Sequence, residues 1–213
     1  MDFNHFNVDL LKMAKEASDH KKTDSEVINA TLGVFLNDYM NLYSFKSVEK
    51  ALKNIDQEQL RSYLALDGGE AYKNNILKYL FATIDSPILK SFYHYETWTS
   101  GGSGAIYLAL NFYRGKTVLL PNIRWPEYDQ MVLSLNKEIK EYSLIVDNQF
   151  NLTGLKKIFD QTTEKEIFIV INDPARNPTG YSLTVGEHRE FIELVNSFET
   201  KLKINVLYDL AYL

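Results

Sequence analysis

The sequence predicts an α/β fold in which a mostly parallel β-sheet is covered by helices. From about residue 95 onward, short runs rich in β-branched residues alternate with longer amphipathic segments, and polar, glycine-rich or proline-rich loops follow the runs. Strands that alternate with helices of ~10–15 residues are typical of a parallel sheet. Ligands bind beyond the carboxyl ends of the strands in such sheets, so a binding site is expected in these loops.

The first ~90 residues are predicted to be helical and irregular, because the apolar residues there recur with helical spacing. The predicted helices of this part are VDLLKMAKEA, SVEKALKNI and EAYKNNILKYLFA. The predicted strands of the second part are HYETWTS, TVLLP, IKEYSLI, EIFIVIND and INVLYD. The helices between them are SGAIYLALNFY, WPEYDQMVLSLN, TGLKKIFDQTT and VGEHREFIELVNSF. A parallel strand needs a crossover before its next neighbour, so the sheet is expected to be incomplete at the C-terminus.

The composition excludes several classes of function. A net charge of −5 leaves no basic surface for nucleic acid, and no apolar run is long enough to span a membrane. The polar N-terminus does not resemble a signal peptide, so a cytoplasmic location is expected. The absence of cysteine excludes disulfides and thiol chemistry. No metal site is expected, because the four histidines (His5, His20, His94 and His188) are scattered and lack the HExxH spacing.

Two loops suggest a ligand with a phosphate and a flat ring. The glycines of SGGSGA, residues 100–105, allow backbone N–H groups at the start of a helix to approach an anion. Trp125 follows TVLLP and can stack on a planar ring. The alternatives are an ordinary strand-to-helix turn and a tryptophan that packs in the core.

Two further loops carry polar side chains at strand ends. Pro174, Pro178 and Gly180 make the loop after EIFIVI rigid and hold the Asn177 amide in place, although an ordinary turn is the alternative. Asp209 leaves a buried strand, where a carboxylate needs a partner such as a cationic ring nitrogen. The alternative for Asp209 is the N-cap of a following helix.

Taken together, these residues resemble the class I and II aminotransferases, the pyridoxal-phosphate enzymes of fold type I, and especially the aspartate aminotransferase branch. The most specific motif is the NPTG sequence at 177–180, which is followed by the Asp209-x-x-Tyr212 pair. SGGSGA is similar to the phosphate loop of the family. Leu32-Gly33-Val34 and the YLALDGG stretch that begins at Tyr63 are similar to its N-terminal motifs. The resemblance runs from about residue 30 to the end.

The resemblance implies how the cofactor, pyridoxal 5′-phosphate, is held. Gly102, Ser103 and Gly104 are expected to bind its phosphate through backbone N–H groups and the Ser103 hydroxyl. Trp125 is expected to stack on the pyridine ring. Asp209 is expected to pair with the ring nitrogen and keep it protonated, which makes the ring an electron sink.

The remaining site residues concern the ring oxygen, the substrate and a second subunit. Tyr212 and Asn177 are expected to hydrogen-bond the phenolic oxygen of the ring, and Asn177 also orients the substrate carboxylate. Gly33 and Val34 are expected to lie near the substrate. Tyr63 is expected to reach the phosphate in the neighbouring subunit of a homodimer.

The fold that the resemblance implies is the large domain of fold type I over residues 46–213. Residues 1–45 then form an N-terminal helical segment that belongs to the small domain. In this family the lysine that forms the Schiff base lies beyond the DxxY motif. The resemblance therefore implies that the 213-residue chain is truncated before that lysine and is inactive alone.

The activity that the resemblance implies is transfer of an amino group between an amino acid and a 2-oxo acid. The expected catalytic residues within the chain are Asn177, Asp209 and Tyr212. Two alternatives remain open. One is another fold-type-I reaction, such as a β-elimination lyase or a decarboxylase, and the other is a truncated, non-catalytic protein of this fold.

Overall fold

The computed structural model describes residues 10–31, 33–39, 41–82 and 87–213, so His5 and Leu32 lie outside the described residues. The chain divides into two compact units, Met1–Tyr63 and Leu64–Leu213. The predicted domain boundary, between residues 45 and 46, lies inside the first unit. The assignment of the two parts to a small and a large domain remains a prediction.

The first unit contains helices at the two predicted places and a third, short helix that was not predicted. The short helix Gln57–Arg61 is capped by Asp56, whose carboxylate accepts a hydrogen bond from the Glu58 N–H. The rings of Phe35, Tyr43 and Phe45 pack on one another. The helices are α1 (Leu10–Thr23), α2 (Lys46–Lys53) and α3 (Gln57–Arg61).

The second unit contains the predicted alternation of helices and strands. A short 3-10 turn, Leu89–Ser91, lies between its first two helices. The helices are α4 (Gly69–Phe81), α5 (Gly101–Phe112), α6 (Glu127–Ser134), α7 (Leu152–Gln161) and α8 (Val185–Ser197). The strands are β1 (Thr117–Pro121), β2 (Glu138–Tyr142), β3 (Ile145–Val146), β4 (Gln149–Phe150), β5 (Glu166–Asn172) and β6 (Lys203–Asp209).

Four strands form a parallel sheet in the order β2-β1-β5-β6, which confirms the predicted parallel sheet. The chain moves from β1 outward to β2 and then returns past β1 to β5. The direction of the connections therefore reverses between β1 and β5, and such a switch point is where α/β sheets bind ligands. Strands β3 and β4 form a separate antiparallel pair.

The sheet has a hydrophobic layer on each face, because successive residues of a strand point to opposite sides. Helices α5 and α6 cover one face, and α7 and α8 cover the other. The first layer includes Ile106, Leu110, Val118, Leu120, Tyr128, Val132, Phe168 and Val170. The second includes Leu119, Leu155, Phe159, Ile167, Ile169, Ile171, Phe191 and Phe198.

The predicted strand HYETWTS, residues 94–100, is wrong. These residues form neither a strand nor a helix. Trp98 donates from its indole nitrogen to the Leu66 carbonyl at 2.8 Å, and the Thr99 hydroxyl donates to the Gly101 carbonyl at 2.8 Å. β-rich composition favours an extended backbone, but a strand also needs a neighbouring strand on which to pack. Within the described ranges, no helix has the length and apolar character needed to cross a membrane.

Candidate functional site

The candidate site lies at the carboxyl edge of the sheet in the second unit. The loops after β1, β5 and β6 all leave the sheet at this edge, because the strands are parallel. Helix α5 reaches the same edge with its N-terminus, since it packs on the sheet and is joined by a short turn to the start of β1. Four of the predicted sequence features therefore meet at one edge.

The N-terminus of α5 offers free backbone donors. Gly101 has φ of +68°, a left-handed conformation that favours glycine, and the helix starts there. The Gly104 N–H donates to the Ser100 carbonyl, whereas Gly102 and Ser103, the second and third helical residues, have no intrahelical acceptor for their N–H groups. A Cβ atom at Gly102 would meet nothing within 4 Å. This turn can therefore receive an anion such as a phosphate group.

Trp125 is half-buried in the loop between β1 and α6. Its ring packs edge-to-face on Tyr128, with the ring centroids 5.4 Å apart and the planes at 86°. It also lies against the hydrophobic layer that contains Ile106 and Leu110 of α5. Trp125 is thus partly a core residue, as in the alternative interpretation, and packing against this layer and Tyr128 fixes its ring.

Arg124 anchors this loop to the sheet. Its Nε donates to Asp129 Oδ1 at 2.7 Å, and its Nη1 donates to Glu141 Oε1 at 2.6 Å and to the Pro121 carbonyl at 2.8 Å. Burial acts to lower the pKa of Arg124, but the two carboxylates raise it overall. These three contacts of Arg124 join the start of α6 to the ends of β1 and β2. They therefore hold the neighbouring Trp125 in place.

Asp129→Ala is expected to lower the free energy of unfolding by about 3 kcal/mol, because removing one partner of a buried ion pair leaves the other charge partly uncompensated. Asp129 is buried. Urea denaturation measures the change. The matched control is Asp160→Ala, which removes the exposed carboxylate that pairs with Lys156 at 2.6 Å, and there the expected loss is at most about 1 kcal/mol. Equal losses in the two variants would contradict the proposal that the ion pair between Arg124 and Asp129 stabilises this loop.

Asp209 ends β6 with a half-buried carboxylate whose two oxygens are both held. The phenol of Tyr128 donates to Oδ2, and the Ala211 N–H donates to Oδ1 at 3.1 Å. The second contact caps the local turn, and residues 210–213 form no helix. The orientation of the Asp209 carboxylate is therefore set by its own turn and by a residue of α6, and the interpretation of Asp209 as a helix N-cap stays open.

Tyr128 is a site residue that the sequence analysis missed. Its side chain is 1% exposed. Burial, and then the contact with Asp209, raise the pKa of Tyr128, so that its phenol remains a neutral donor. Tyr128 follows Trp125 by three positions in WPEY, and residues three apart at the start of a helix share a face. The spacing of Trp125 and Tyr128 could therefore have indicated, from the sequence, that Tyr128 belongs to the same site.

The loop after β5 is tied to the loop after β6 through Asn172. This side chain is buried, accepts from the Asn177 N–H at 2.8 Å and donates to the Asp209 carbonyl at 3.0 Å. The Asp173 N–H also donates to that carbonyl, at 3.2 Å. The structure thus brings the NPTG and DxxY motifs together. The Asn177 side chain is half-buried, and the Tyr212 side chain is 50% exposed.

Two more polar residues of the β5 loop are buried, and the sequence assigns no role to either of them. Asp173 accepts from the Leu183 N–H at 2.7 Å and pairs through Oδ2 with His188 Nε2 at 3.0 Å, which holds the loop to the start of α8. Arg176 is 1% exposed. His188 thus has a structural partner, and the described part of the chain contains no group of three or more acidic or histidine side chains suited to a metal ion.

Gly33, Val34 and Tyr63 belong to the first unit, whereas the residues that form the candidate site belong to the second unit. The side chains of Val34 and Tyr63 are exposed. Their predicted roles near the substrate and at a neighbouring subunit remain predictions.

Comparison with known proteins identifies the family and the fold of the chain. The family model "Aminotransferase class I and II" matches residues 25–212. The mitochondrial aspartate aminotransferase of Saccharomyces cerevisiae is 25% identical over 92% of this chain and 47% of its own length. An aminotransferase of Anaerococcus prevotii matches with a TM-score of 0.84 and 26% identity, over 94% of this chain and 50% of that chain.

A further solved structure shows the same fold. The aromatic-amino-acid aminotransferase of Burkholderia pseudomallei, which is covalently bound to pyridoxal phosphate, matches with a TM-score of 0.77 and 19% identity, over 98% of this chain and 53% of that chain. These neighbours confirm the predicted fold, that of the pyridoxal-phosphate-dependent aminotransferases. The chain spans about half the length of the curated relatives that it matches. Because the family model matches most of its residues, the chain belongs to the class I and II aminotransferases.

Proposed function

We propose that this chain carries the cofactor-binding part of a pyridoxal-phosphate-dependent aminotransferase, which moves an amino group between an amino acid and a 2-oxo acid. One observation carries the proposal. The free N–H groups of α5, the ring of Trp125 and the oriented carboxylate of Asp209 lie at the same edge of the sheet. A phosphate, a flat ring and a basic ring nitrogen are the complementary groups of a single ligand.

The residues present fit this cofactor. Gly102 and Ser103 would hold its phosphate, because they present N–H groups without an intrahelical acceptor at the positive end of the helix dipole. Gly104 would take part as well, if its N–H turned to the phosphate from the Ser100 carbonyl, to which it donates at 3.4 Å. Trp125 would stack on the ring from a position that packing has already set. When bound, the cofactor supplies an electron-withdrawing ring that stabilises negative charge at the α-carbon of the amino acid.

The chain's own polar groups have separate tasks in this proposal. Asp209 holds a proton on the ring nitrogen, and Tyr128 keeps the Asp209 carboxylate in the required orientation. Asn177 and Tyr212 hydrogen-bond the ring oxygen, and Asn177 also orients the carboxylate of the substrate. The rigid β5 loop supports this role, because Asn172 fixes the backbone of Asn177 relative to Asp209.

We propose that the covalent chemistry requires residues outside these 213. The lysine that attaches the cofactor and the residues that select the substrate would belong to the remainder of a protein about twice this length, as the curated relatives are. Several relatives are aspartate aminotransferases, so a dicarboxylic amino acid is the first substrate to test. A cytoplasmic location remains a prediction.

The test is an amino-transfer assay of the whole protein with pyridoxal phosphate, aspartate and 2-oxoglutarate, followed by aromatic amino acids. Transfer to the 2-oxo acid supports the proposal. Release of ammonia or carbon dioxide without transfer would favour a lyase or a decarboxylase instead. Intact mass after borohydride reduction provides a second readout. One pyridoxyl-phosphate adduct on a lysine outside this sequence is expected, and no specific adduct would favour a non-catalytic protein.

Tyr63→Phe tests the proposed homodimer with sites shared between subunits. The Tyr63 side chain is fully exposed, as expected if its partner belongs to another subunit. Loss of one hydrogen bond to a charged phosphate should weaken cofactor binding by the dimer about tenfold. Equilibrium dialysis above and below the dimer dissociation constant measures the effect. Tyr93→Phe, at another fully exposed tyrosine, is the control, and unchanged affinity in Tyr63→Phe would contradict the assignment.

A further inference from the structure

The loop that carries Asn177 has an internally fixed shape, so its placement depends on its base. The Arg176 N–H donates to the Tyr181 carbonyl at 3.0 Å, and the Ala175 N–H donates to the Ser182 hydroxyl at 2.8 Å. These contacts join the two sides of the loop. The position of the loop relative to the sheet is decided where its first and last residues meet beyond the end of β5.

Asp173 closes the base of this loop. One carboxylate oxygen, Oδ1, accepts from the Leu183 N–H at 2.7 Å, so the residues that begin and end the loop are joined. The Asp173 N–H donates to the Asp209 carbonyl at 3.2 Å. The side chain is buried, and its other oxygen, Oδ2, pairs with His188 Nε2 at 3.0 Å. The direction of the Asp173 carboxylate therefore depends on His188.

His188 also contacts a second strand of the sheet. Its Nδ1 lies 3.3 Å from the Tyr208 hydroxyl of β6. An ionised carboxylate only accepts hydrogen bonds, so Nε2 carries the proton that Asp173 accepts, and Nδ1 of a neutral imidazole then accepts from the Tyr208 hydroxyl. Burial, and then the charge of Asp173, raise the pKa of Tyr208, so this hydroxyl keeps its proton. His188 thus joins the base of the loop to β6.

The first turn of α8 holds His188 at a fixed place. The preceding residue, Glu187, forms the capping box of the helix with Thr184. The Glu187 carboxylate also accepts from the Phe150 N–H of β4 at 2.8 Å. The start of the helix is therefore tied to a neighbouring strand, and the imidazole extends from an anchored backbone.

His188 acts from the face of the sheet opposite to the one on which Asp209 is held. Tyr208 and Asp209 are adjacent in β6, so their side chains point to opposite faces. The Asp209 carboxylate meets Tyr128 of α6, whereas the Tyr208 hydroxyl meets His188 of α8. The orientation of the Asp209 carboxylate and the placement of the loop thus have separate supports.

We propose that His188 is a positioning residue, which holds Asp173 against Tyr208 and so keeps the Asn177 amide where it can hydrogen-bond the phenolic oxygen of the cofactor ring. The inference rests on the proposed function, which supplies that ring. Because Asp209 is oriented from the other face, its contact with the ring nitrogen should not depend on His188. Loss of His188 should therefore weaken recognition of the ring oxygen and spare recognition of the ring nitrogen.

Four variants of the whole protein separate the contacts. His188→Leu removes both hydrogen bonds of the imidazole. His188→Gln retains a donor near the position of Nε2, so it keeps the contact with Asp173. Tyr208→Phe removes only the contact with β6. Arg189→Leu places the same apolar side chain at the exposed neighbouring position of α8 and is the matched control.

Hydrogen–deuterium exchange of the peptide that covers residues 173–183 tests the support of the loop. His188→Leu is expected to exchange about tenfold faster than the wild type, because a hydrogen bond to a charged group is lost and the loop opens more often. Tyr208→Phe should exchange about threefold faster, and His188→Gln and Arg189→Leu should stay near the wild type. Unchanged exchange in His188→Leu or in Tyr208→Phe would overturn the proposal.

The binding test compares pyridoxal 5′-phosphate with two analogues. The 3-deoxy analogue lacks the phenolic oxygen, and in the 1-deaza analogue a C–H group replaces the ring nitrogen. His188→Leu is expected to reduce the preference for pyridoxal phosphate over the 3-deoxy analogue about three- to tenfold, the value of one hydrogen bond. The preference over the 1-deaza analogue should stay as in the wild type, and His188→Gln should restore most of the first preference.

These two ratios separate positioning from a merely structural role. A lower unfolding temperature of His188→Leu with an unchanged 3-deoxy ratio would make His188 structural and overturn the proposal, and so would equal losses in both ratios. If His188→Leu does not fold, Tyr208→Phe serves for the same comparison and should lower the 3-deoxy ratio alone. If the wild type does not prefer pyridoxal phosphate over either analogue, the proposed function fails instead.

Discussion

Asp209→Ala is expected to reduce amino transfer by the whole protein at least ~100-fold, because it removes the carboxylate proposed to keep the ring nitrogen protonated. Loss of one preorganised electrostatic group from a catalytic site commonly costs two to three orders of magnitude in rate. Asp209 is suited to this task, since Tyr128 and the Ala211 N–H fix both of its oxygens at the end of β6. Steady-state kinetics with saturating cofactor measure the effect.

The fold is expected to survive this substitution. Seven residue pairs join β5 and β6, from Glu166 beside Lys203 to Asn172 beside Asp209, and the backbone contacts of this ladder do not need the carboxylate. The buried Tyr128 phenol loses its acceptor, which costs about 1–3 kcal/mol. Circular dichroism should therefore show native secondary structure and a lower unfolding temperature.

Asp209→Asn separates charge from shape. The amide fills the same space but cannot hold a proton on the ring nitrogen by charge, so its activity should also fall strongly while its stability stays closer to that of the wild type. Near-normal activity in either variant would refute the role of Asp209 at the ring nitrogen.

Glu187→Gln is expected to lower the free energy of unfolding by about 2–4 kcal/mol. The Glu187 carboxylate accepts from the Phe150 N–H at 2.8 Å and from the Tyr181 phenol with one oxygen. The other oxygen accepts from the Thr184 N–H at 2.8 Å and hydroxyl at 2.9 Å, which completes the capping box of α8. All four partners donate, and a glutamine amide can accept on only one side, so donors are left unpaired at ~1–3 kcal/mol each.

The same contacts predict a pH dependence. Burial acts to raise the pKa of Glu187, but the hydrogen bonds from Tyr181, Phe150 and Thr184 lower it from 4.5 to about 2. A carboxylate with a depressed pKa in the folded state stabilises the fold above its unfolded pKa, and this contribution is lost as the pH falls. The wild type should therefore lose stability between about pH 4.5 and pH 2.

Urea denaturation as a function of pH measures this loss. Glu187→Gln removes the titrating group, so its stability should fall less steeply over the same range. Glu193→Gln, on the exposed side of the same helix, is the control and should behave as the wild type. An equal pH dependence in Glu187→Gln and the control would contradict the assignment of these four hydrogen bonds to Glu187.

The sequence alone determined the class of fold and the loops of the site. The continuous apolar run of β5 predicts a buried strand, and the helical spacing of apolar residues in α7 and α8 predicts covering helices. Both predictions succeed because the repeat of a strand or a helix decides which of its own side chains are buried. The glycines before α5 and the rigid NPTG loop were recognisable because turn chemistry acts over a few neighbouring residues. Such local rules also led to the wrong strand at residues 94–100, where no neighbouring strand is available.

Only the tertiary structure decided which side chains meet. Tyr128 and Asp209 lie far apart in the sequence, as do Arg124 and Glu141, and each pair forms because parallel strands bring their carboxyl ends to one edge. The sequence assigns no role to Arg176, whereas the structure shows a buried guanidinium whose Nε and Nη1 atoms have no hydrogen-bond partner in the described part of the chain. Burial and charge at a site depend on contacts between distant segments, and a pattern of neighbouring residues does not contain that information.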